Sequence, residues 1–222
     1  MAESRHKSKA ESRLSPLLTN VGADMGERIG IFGGTFDPIH VGHLVAAVNA
    51  RHALALDRVI MMVANIPWQK AGVRAVSTAE DRLALVEAAV GGVPGLEAGS
   101  LEIERGGESY TADTLAAMSA KNPDDELFLI IGWDVAPVLT TWEKWEEVQR
   151  LATLVVVNRP DYPPPRALEE AGWRVAEVKV PNLEISSSDL RARAADGRPL
   201  DYLIPEAGVR CIRSRGMYAG GG

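Results

Sequence analysis

The residues with the most chemical potential lie in one run, Ile29-Gly30-Ile31-Phe32-Gly33-Gly34-Thr35-Phe36-Asp37-Pro38-Ile39-His40-Val41-Gly42-His43. His40 and His43 are three apart, so on a first helical turn both imidazoles face one side. Gly42 between them keeps that side open. Ahead of them, Gly33 and Gly34 leave bare main chain that a phosphate can approach without meeting a Cβ. A helix N-terminus adds unpaired N–H groups and a partial positive charge. Two imidazole donors over such a backbone suit a polyphosphate. The competing readings are a glycine turn with two surface histidines and a His-x-x-His zinc site. A tetrahedral zinc lacks its remaining ligands: the chain has four histidines and one cysteine, and His6 and His52 have no ligand-like neighbours in sequence. The three-glycine dinucleotide fingerprint is absent as well.

The elements that must position these groups alternate between strand and helix. Arg28 to Phe32 is an apolar run of strand length that empties into the glycines. A helix from about Val41 to Leu54 carries Leu44, Val45 and Val48 at helical spacing. Arg58 to Ala64 is continuously apolar after its first residue, as a parallel strand covered on both faces should be. Ser77-Thr78-Ala79-Glu80 reads as a capping box led by Ser77, opening a helix through Val90. Further strands are expected over about Leu96 to Ile103, Glu126 to Ile131, Leu151 to Val157 and Trp173 to Val180. Thr111 is the expected N-cap of a helix to Ala120, and another helix starts at Thr140-Thr141-Trp142. This is the pattern of an α/β, Rossmann-like doubly wound parallel sheet with a small helical C-terminal subdomain.

In such a sheet ligands sit at the carboxyl ends of the strands. Asp134, just past Ile131 and Gly132, is placed there to accept from a ribose hydroxyl or to cap a helix. Ile185-Ser186-Ser187-Ser188-Asp189-Leu190-Arg191 puts hydroxyls at a helix start with an arginine one turn on. That makes a second anion cradle, or a plain serine-capped helix. Cys211 falls in a C-terminal helix as packing, with no base nearby to activate it. The stiff turn Tyr162-Pro163-Pro164-Pro165 reads as surface.

A chain of 222 residues is long enough for one sizeable α/β domain. We expect it over 25–222, with a core to about 181 and a helical part over 182–222. Residues 1–24, rich in Ser, Lys, Arg, Glu and Ala, read as a flexible extension or as sequence ahead of a start at Met25. A net charge of −6 argues against coating nucleic acid. No stretch approaches the ~20 apolar residues of a membrane span. The single cysteine and the lack of a signal-type h-region suit the cytoplasm. Oligomeric state is left open, a homo-oligomer included.

The string from Gly34 to His43 resembles the (H/T)xGH signature of the nucleotidylyltransferase superfamily. The run Glu102 to Leu115, E-x-x-R-x-G-x-S-Y-T-x-D-T-L, resembles that of its bacterial nicotinate-nucleotide adenylyltransferase branch. Ile185 to Arg191 is similar to the family's ISSTxIR motif, with Ser188 for Thr and Leu190 for Ile. Together the motifs span Arg28 to Tyr218 in family order. The resemblance implies transfer of the adenylyl group of ATP to nicotinate mononucleotide, giving deamido-NAD and pyrophosphate in NAD biosynthesis. It implies ATP contacts from Gly33, Gly34, Thr35, Phe36, Gly42, His43, Ser187, Ser188 and Arg191. It gives Lys70, Tyr110, Thr111, Asp134 and Trp142 to the mononucleotide, with Trp142 stacked on the pyridine ring and Lys70 read from a Pro-x-x-Lys match. His40, His43, Lys70 and Arg191 are the implied catalytic groups. Mg²⁺ would ride on the ATP phosphates and water, with no protein ligand. Three alternatives stand beside this. One is a transferase acting on nicotinamide mononucleotide. Another is a transferase acting on phosphopantetheine. The third is an ATP-sensing module without turnover.

Overall fold

Six apolar runs form one parallel sheet: β1 (Arg28–Gly34), β2 (Arg58–Val63), β3 (Leu96–Gly99), β4 (Glu126–Gly132), β5 (Ala152–Asn158) and β6 (Val175–Lys179). Their spatial order is β3-β2-β1-β4-β5-β6, every neighbouring pair parallel. The helices are α1 (Val41–Ala53), α2 (Ala79–Val90), α3 (Leu101–Arg105), α4 (Thr111–Lys121), α5 (Trp145–Leu151), α6 (Arg166–Glu170), α7 (Ser187–Ala195) and α8 (Glu206–Ser214). A 3₁₀ helix covers Ala136–Thr141. This computed structural model describes residues 26–67, 75–158 and 166–219. The expected extension over 1–24, Lys70 and the Tyr162–Pro165 turn lie outside the described residues.

Successive strand side chains point to opposite faces, and here both faces are covered. Val59, Met61, Phe128, Ile130 and Val155 pack with α1, α2 and the C-terminal helices on one side. Ile29, Ile31, Leu127, Leu129, Leu154 and Val156 pack with α4, α5 and α6 on the other. The chain therefore crosses to one face after β1 and β2 and to the opposite face after β3, β4 and β5. The reversal falls between β1 and β4, where a doubly wound sheet opens a crevice. Among the described residues, no helix is long and apolar enough to cross a membrane.

Several boundaries differ from the sequence expectation. The buried face of α1 is Ala46, Ala47 and Ala50, while Val48 is exposed. Small residues let the helix lie close on the sheet, with Leu44 packed at the edge of the core. Thr78, not Ser77, caps α2: its Oγ1 accepts the Asp81 main-chain N–H at 3.1 Å. β3 stops at Gly99 because its neighbours leave no side-chain room; an added Cβ would stand 2.6 Å from Ile60 Cγ2. Ser100 then turns the chain into α3, so the alternating Leu101 and Ile103 continue as helix. Tyr110, not Thr111, occupies the N-cap of α4. Thr140 and Thr141 end the 3₁₀ helix, and α5 begins only at Trp145.

Sequence reading passed over one buried cation. Arg82 is 1% exposed, on the α2 face that also buries Leu85, Val86 and Ala89. Its guanidinium donates to main-chain carbonyls of Ser77 (3.0 Å), Thr35 (3.0 Å), Ala64 (2.6 Å) and Asn65 (2.8 Å). One planar group thus ties the glycine turn, the end of β2 and the start of α2. We expect Arg82→Met to cost about 3–5 kcal/mol, the range for breaking a buried polar network. Urea unfolding at neutral pH measures it; a loss under about 1 kcal/mol, the value of a single exposed interaction, would show that water replaces the guanidinium without penalty.

Candidate active site

Two hollows open at the carboxyl ends of β1 and β4, and they share Phe32, Gly33, Gly34, Thr35, Gly132 and Val135 as a common wall. The larger, about 450 Å³, holds Phe36, His40, Gly42, His43, Asp134 and Ser187. The smaller, about 270 Å³, holds Glu102, Ser109, Tyr110, Thr111 and Trp142.

The imidazole side is set by aromatic packing and by the helix start. The His40 and His43 rings lie 3.8 Å apart, centroid to centroid, tilted by 31°. Phe36 meets His43 edge-on at 5.2 Å, and Phe32 does so at 6.0 Å. His43 Nδ1 accepts the His40 main-chain N–H at 3.2 Å. In a neutral ring that leaves the proton on Nε2, making it a donor. His40 caps α1 in an extended conformation. It is 7% exposed, its Nδ1 has no hydrogen-bond partner among the described residues, and an added Cβ at Gly42 would stand 3.0 Å from that nitrogen. Burial lowers the His40 pKa to about 4, so the ring is neutral at physiological pH.

The two glycines do different jobs. An added Cβ at Gly33 meets nothing within 4 Å, so its main chain faces open space in the shared wall. At Gly34 a Cβ would stand 2.8 Å from the Phe36 ring. Gly34 is therefore required by packing, and Gly33 by whatever approaches it.

The C-terminal cradle docks onto the same turn. Ser187 Oγ donates to Pro38 O at 2.9 Å, and Arg191 Nη1 donates to Asp37 O at 2.7 Å. Arg191 Nη2 donates to Ser188 Oγ at 3.0 Å. Ser187 lines the histidine-lined hollow, while Ser188 and Arg191 do not.

The smaller hollow is built from a zipped turn. The Asn65 N–H donates to Ser109 Oγ (2.8 Å), the Ser109 N–H to Ile66 O (3.1 Å) and Asn65 Nδ2 to Gly107 O (2.8 Å). These bonds hold Tyr110 and Thr111 at the start of α4 against the end of β2. Trp142 is brought alongside by Lys144, which bridges Asp113 in the first turn of α4 at 2.9 Å. Glu102 is a buried carboxylate in this wall and accepts from Thr114 Oγ1 at 2.7 Å. Asp134, expected beside Tyr110 and Trp142, lines the other hollow with the imidazoles. The Trp133 N–H donates to Val157 O at 3.2 Å, drawing the turn toward β5, and Gly132 gives the Asp134 carboxylate room to fold back.

Comparison with known proteins fits this geometry. The cytidylyltransferase-like family model matches residues 31–193. A probable nicotinate-nucleotide adenylyltransferase of Corynebacterium jeikeium is 42% identical over 195 residues, covering 84% of this chain and 98% of its own. One from Streptomyces coelicolor is 45% identical over 191 residues, covering 85% and 99%. This chain belongs to the nicotinate-nucleotide adenylyltransferase family. The fold extends further: a Plasmodium falciparum nicotinic acid mononucleotide adenylyltransferase, solved with NaAD, superposes with a TM-score of 0.72 at 16% identity, over 86% of this chain and 97% of that one. Family membership places the two hollows in a fold shared across distant members.

Two outcomes follow from the site itself. The lowered His40 pKa means that the unfolded chain takes up a proton below its ordinary value of 6.5, while the folded chain resists doing so until about 4. Stability should therefore fall as pH drops through that window, with His40 contributing at most about 1.4 kcal/mol per pH unit. Urea midpoints from pH 7 to pH 4.5 should slope less steeply in His40→Gln; parallel slopes would mean that His40 titrates normally. Gly33→Ala should keep the wild-type melting temperature and raise the ATP KM about tenfold or more, because its methyl enters only the open hollow. An unchanged KM would move the nucleotide elsewhere.

Proposed function

We propose that this chain transfers the adenylyl group of ATP to nicotinate mononucleotide, releasing pyrophosphate and giving deamido-NAD for NAD biosynthesis. The observation that carries this reading is the pair of hollows facing each other across one bare strand end. One is lined by imidazoles and the other by a helix start and an indole. The activity for which its 42–45% identical relatives are named supports it, as does the NaAD complex of the Plasmodium falciparum enzyme that shares the fold.

In this reading the triphosphate lies in the larger hollow. His43 Nε2–H and the neutral His40 donate to the phosphates, and Gly33 admits them to the main chain. Arg191, with Ser187 and Ser188, takes the outer phosphates after releasing the Asp37 carbonyl. Asp134 accepts from the ATP ribose, on the imidazole side. Lys70 keeps a phosphate role on resemblance alone. In the smaller hollow, the start of α4 at Tyr110 and Thr111 holds the pyridine carboxylate, since a helix start favours an anion. Trp142 supplies the flat face for the ring.

The acceptor's 5′-phosphate attacks the α-phosphorus in line, and pyrophosphate leaves. A phosphate dianion is already nucleophilic, so the protein's part is positioning and neutralisation of developing charge. The polar side chains in the described lining of the larger hollow are Thr35, His40, His43 and Ser187, with Asp134 as its carboxylate. That donor set fits Mg²⁺ carried on phosphate oxygens and water rather than held by side chains. When bound, the metal would share in neutralising the triphosphate.

Leu190, Ile204, Val209 and Ile212 join the same core as β2 and β4, which supports reading 25–222 as one domain. The cytoplasm is the compartment we assign.

Pyrophosphate release from ATP across a panel of acceptors tests the reading. Nicotinate mononucleotide should be the preferred acceptor over nicotinamide mononucleotide and phosphopantetheine, and His43→Ala should lose about 10²–10³ in rate while folding normally. Tight ATP binding with no release for any acceptor would instead make the chain a nucleotide sensor.

A further inference from the structure

The turn carrying the imidazoles is a loop, yet Thr35, Phe36, Asp37, Ile39 and His40 are all buried. Loops usually run over the surface, so something must cover this one. The cover comes from the last part of the chain. Ser187 Oγ donates to Pro38 O, Arg191 Nη1 to Asp37 O and Tyr218 Oη to Asp37 Oδ1 (2.8 Å), while Leu203 O accepts the Val41 N–H at 3.0 Å. Asp37 is gripped twice, by its carbonyl and by its carboxylate.

Tyr218 is delivered to that carboxylate by a specific helix ending. At the end of α8 the Met217 N–H donates to Ile212 O at 3.0 Å and the Gly216 N–H to Arg213 O at 3.3 Å. With Gly216 at φ +61, this is the left-handed ending that folds a chain back over its own helix. Met217 and Ile212 are then buried together in the core. Arg215 Nη1 meets Asp81 Oδ1 of α2 at 2.7 Å, tying this helix ending to α2. Tyr218 itself sits at φ +60, a conformation non-glycine residues seldom hold unless their surroundings impose it.

We infer that Tyr218 is a positioning residue for nucleotide transfer. Its hydroxyl fixes Asp37, and Asp37 sets the distance between the imidazole turn and the Arg191 guanidinium. The two phosphate-binding groups come from opposite ends of the sequence, so their separation depends on such a cross-tie. This rests on the adenylyl-transfer reading above, and Tyr218 touches no reacting atom.

Tyr218→Phe removes one oxygen and keeps the ring that packs. Kinetics of pyrophosphate release are to be compared for wild type, Tyr218→Phe, Arg191→Lys and the double variant, with urea midpoints alongside. Tyr218→Phe should lower kcat about 10- to 100-fold, as small misplacements do. Its KM for nicotinate mononucleotide should stay within about twofold of wild type, since that substrate lies across the wall. The double variant should be little slower than Arg191→Lys alone, because both act through one spacing. A kcat within about twofold of wild type overturns the proposal, as do losses that multiply in the double variant or a loss explained by the unfolded fraction. A wild-type protein that releases no pyrophosphate refutes the adenylyl-transfer reading instead. The cross-tie is then judged by the same four proteins in ATP titration calorimetry, where a Tyr218→Phe affinity within about twofold of wild type overturns it and a weaker one, non-additive with Arg191→Lys, upholds it.

Discussion

A guanidinium withdrawn from water holds the site's framework together. Taking Arg82 out of solvent costs several kcal/mol, and only close, charge-assisted bonds offset that. The four carbonyls it binds belong to the glycine turn, the end of β2 and the start of α2. Thr35 and Ala64 also wall the hollows, so the cation grips those walls from behind. Backbone amides can cradle a ligand only if the peptide planes cannot turn, and a carbonyl fixed from behind cannot swing its neighbouring N–H away. Rigidity at this position is thus a precondition for binding.

The rest of the architecture divides labour across the sheet reversal. β1 ends in glycine where the chain changes face, so the crevice there is flanked by unlike elements. On one side stands α1 with its capping histidine, and on the other α4 with a zipped turn and an indole. Edge-on contact with two phenylalanines orients the His43 ring, and burial keeps His40 uncharged. A neutral imidazole can donate a hydrogen bond without carrying a full charge into a desolvated hollow.

Much of this was legible from contiguous residues. Gly33 through His43 supplies its own strand end, turn and helix start, so local pattern alone was enough to bring the glycines and both imidazoles to one hollow. Ser187 and Arg191 were recognisable by type, although their resting partners, the carbonyls of Pro38 and Asp37, were not. Long-range geometry was hidden. Asp134 lines the imidazole hollow and not the one with Tyr110 and Trp142, in a turn tied by the Trp133 N–H to Val157, far away in sequence. The residues from Leu96 to Ile103 alternate as a strand would, yet close packing at Gly99 against Ile60 ends the strand early. Arg82 did leave a trace. An arginine at the position that continues the buried spacing of Leu85, Val86 and Ala89 has no reason to face solvent, and a helix read only for its cap overlooks it.

Gly33 and Gly34 line both hollows, so bare main chain forms part of the wall they share. Occupants on opposite sides are therefore neighbours before any bond joins them. A compound carrying a purine at one end and a pyridine acid at the other, with a linker just long enough to step over that wall, would meet its second half-site at a local concentration no separate molecule reaches. The sharing of one strand end makes this fold a natural template for two-headed inhibitors.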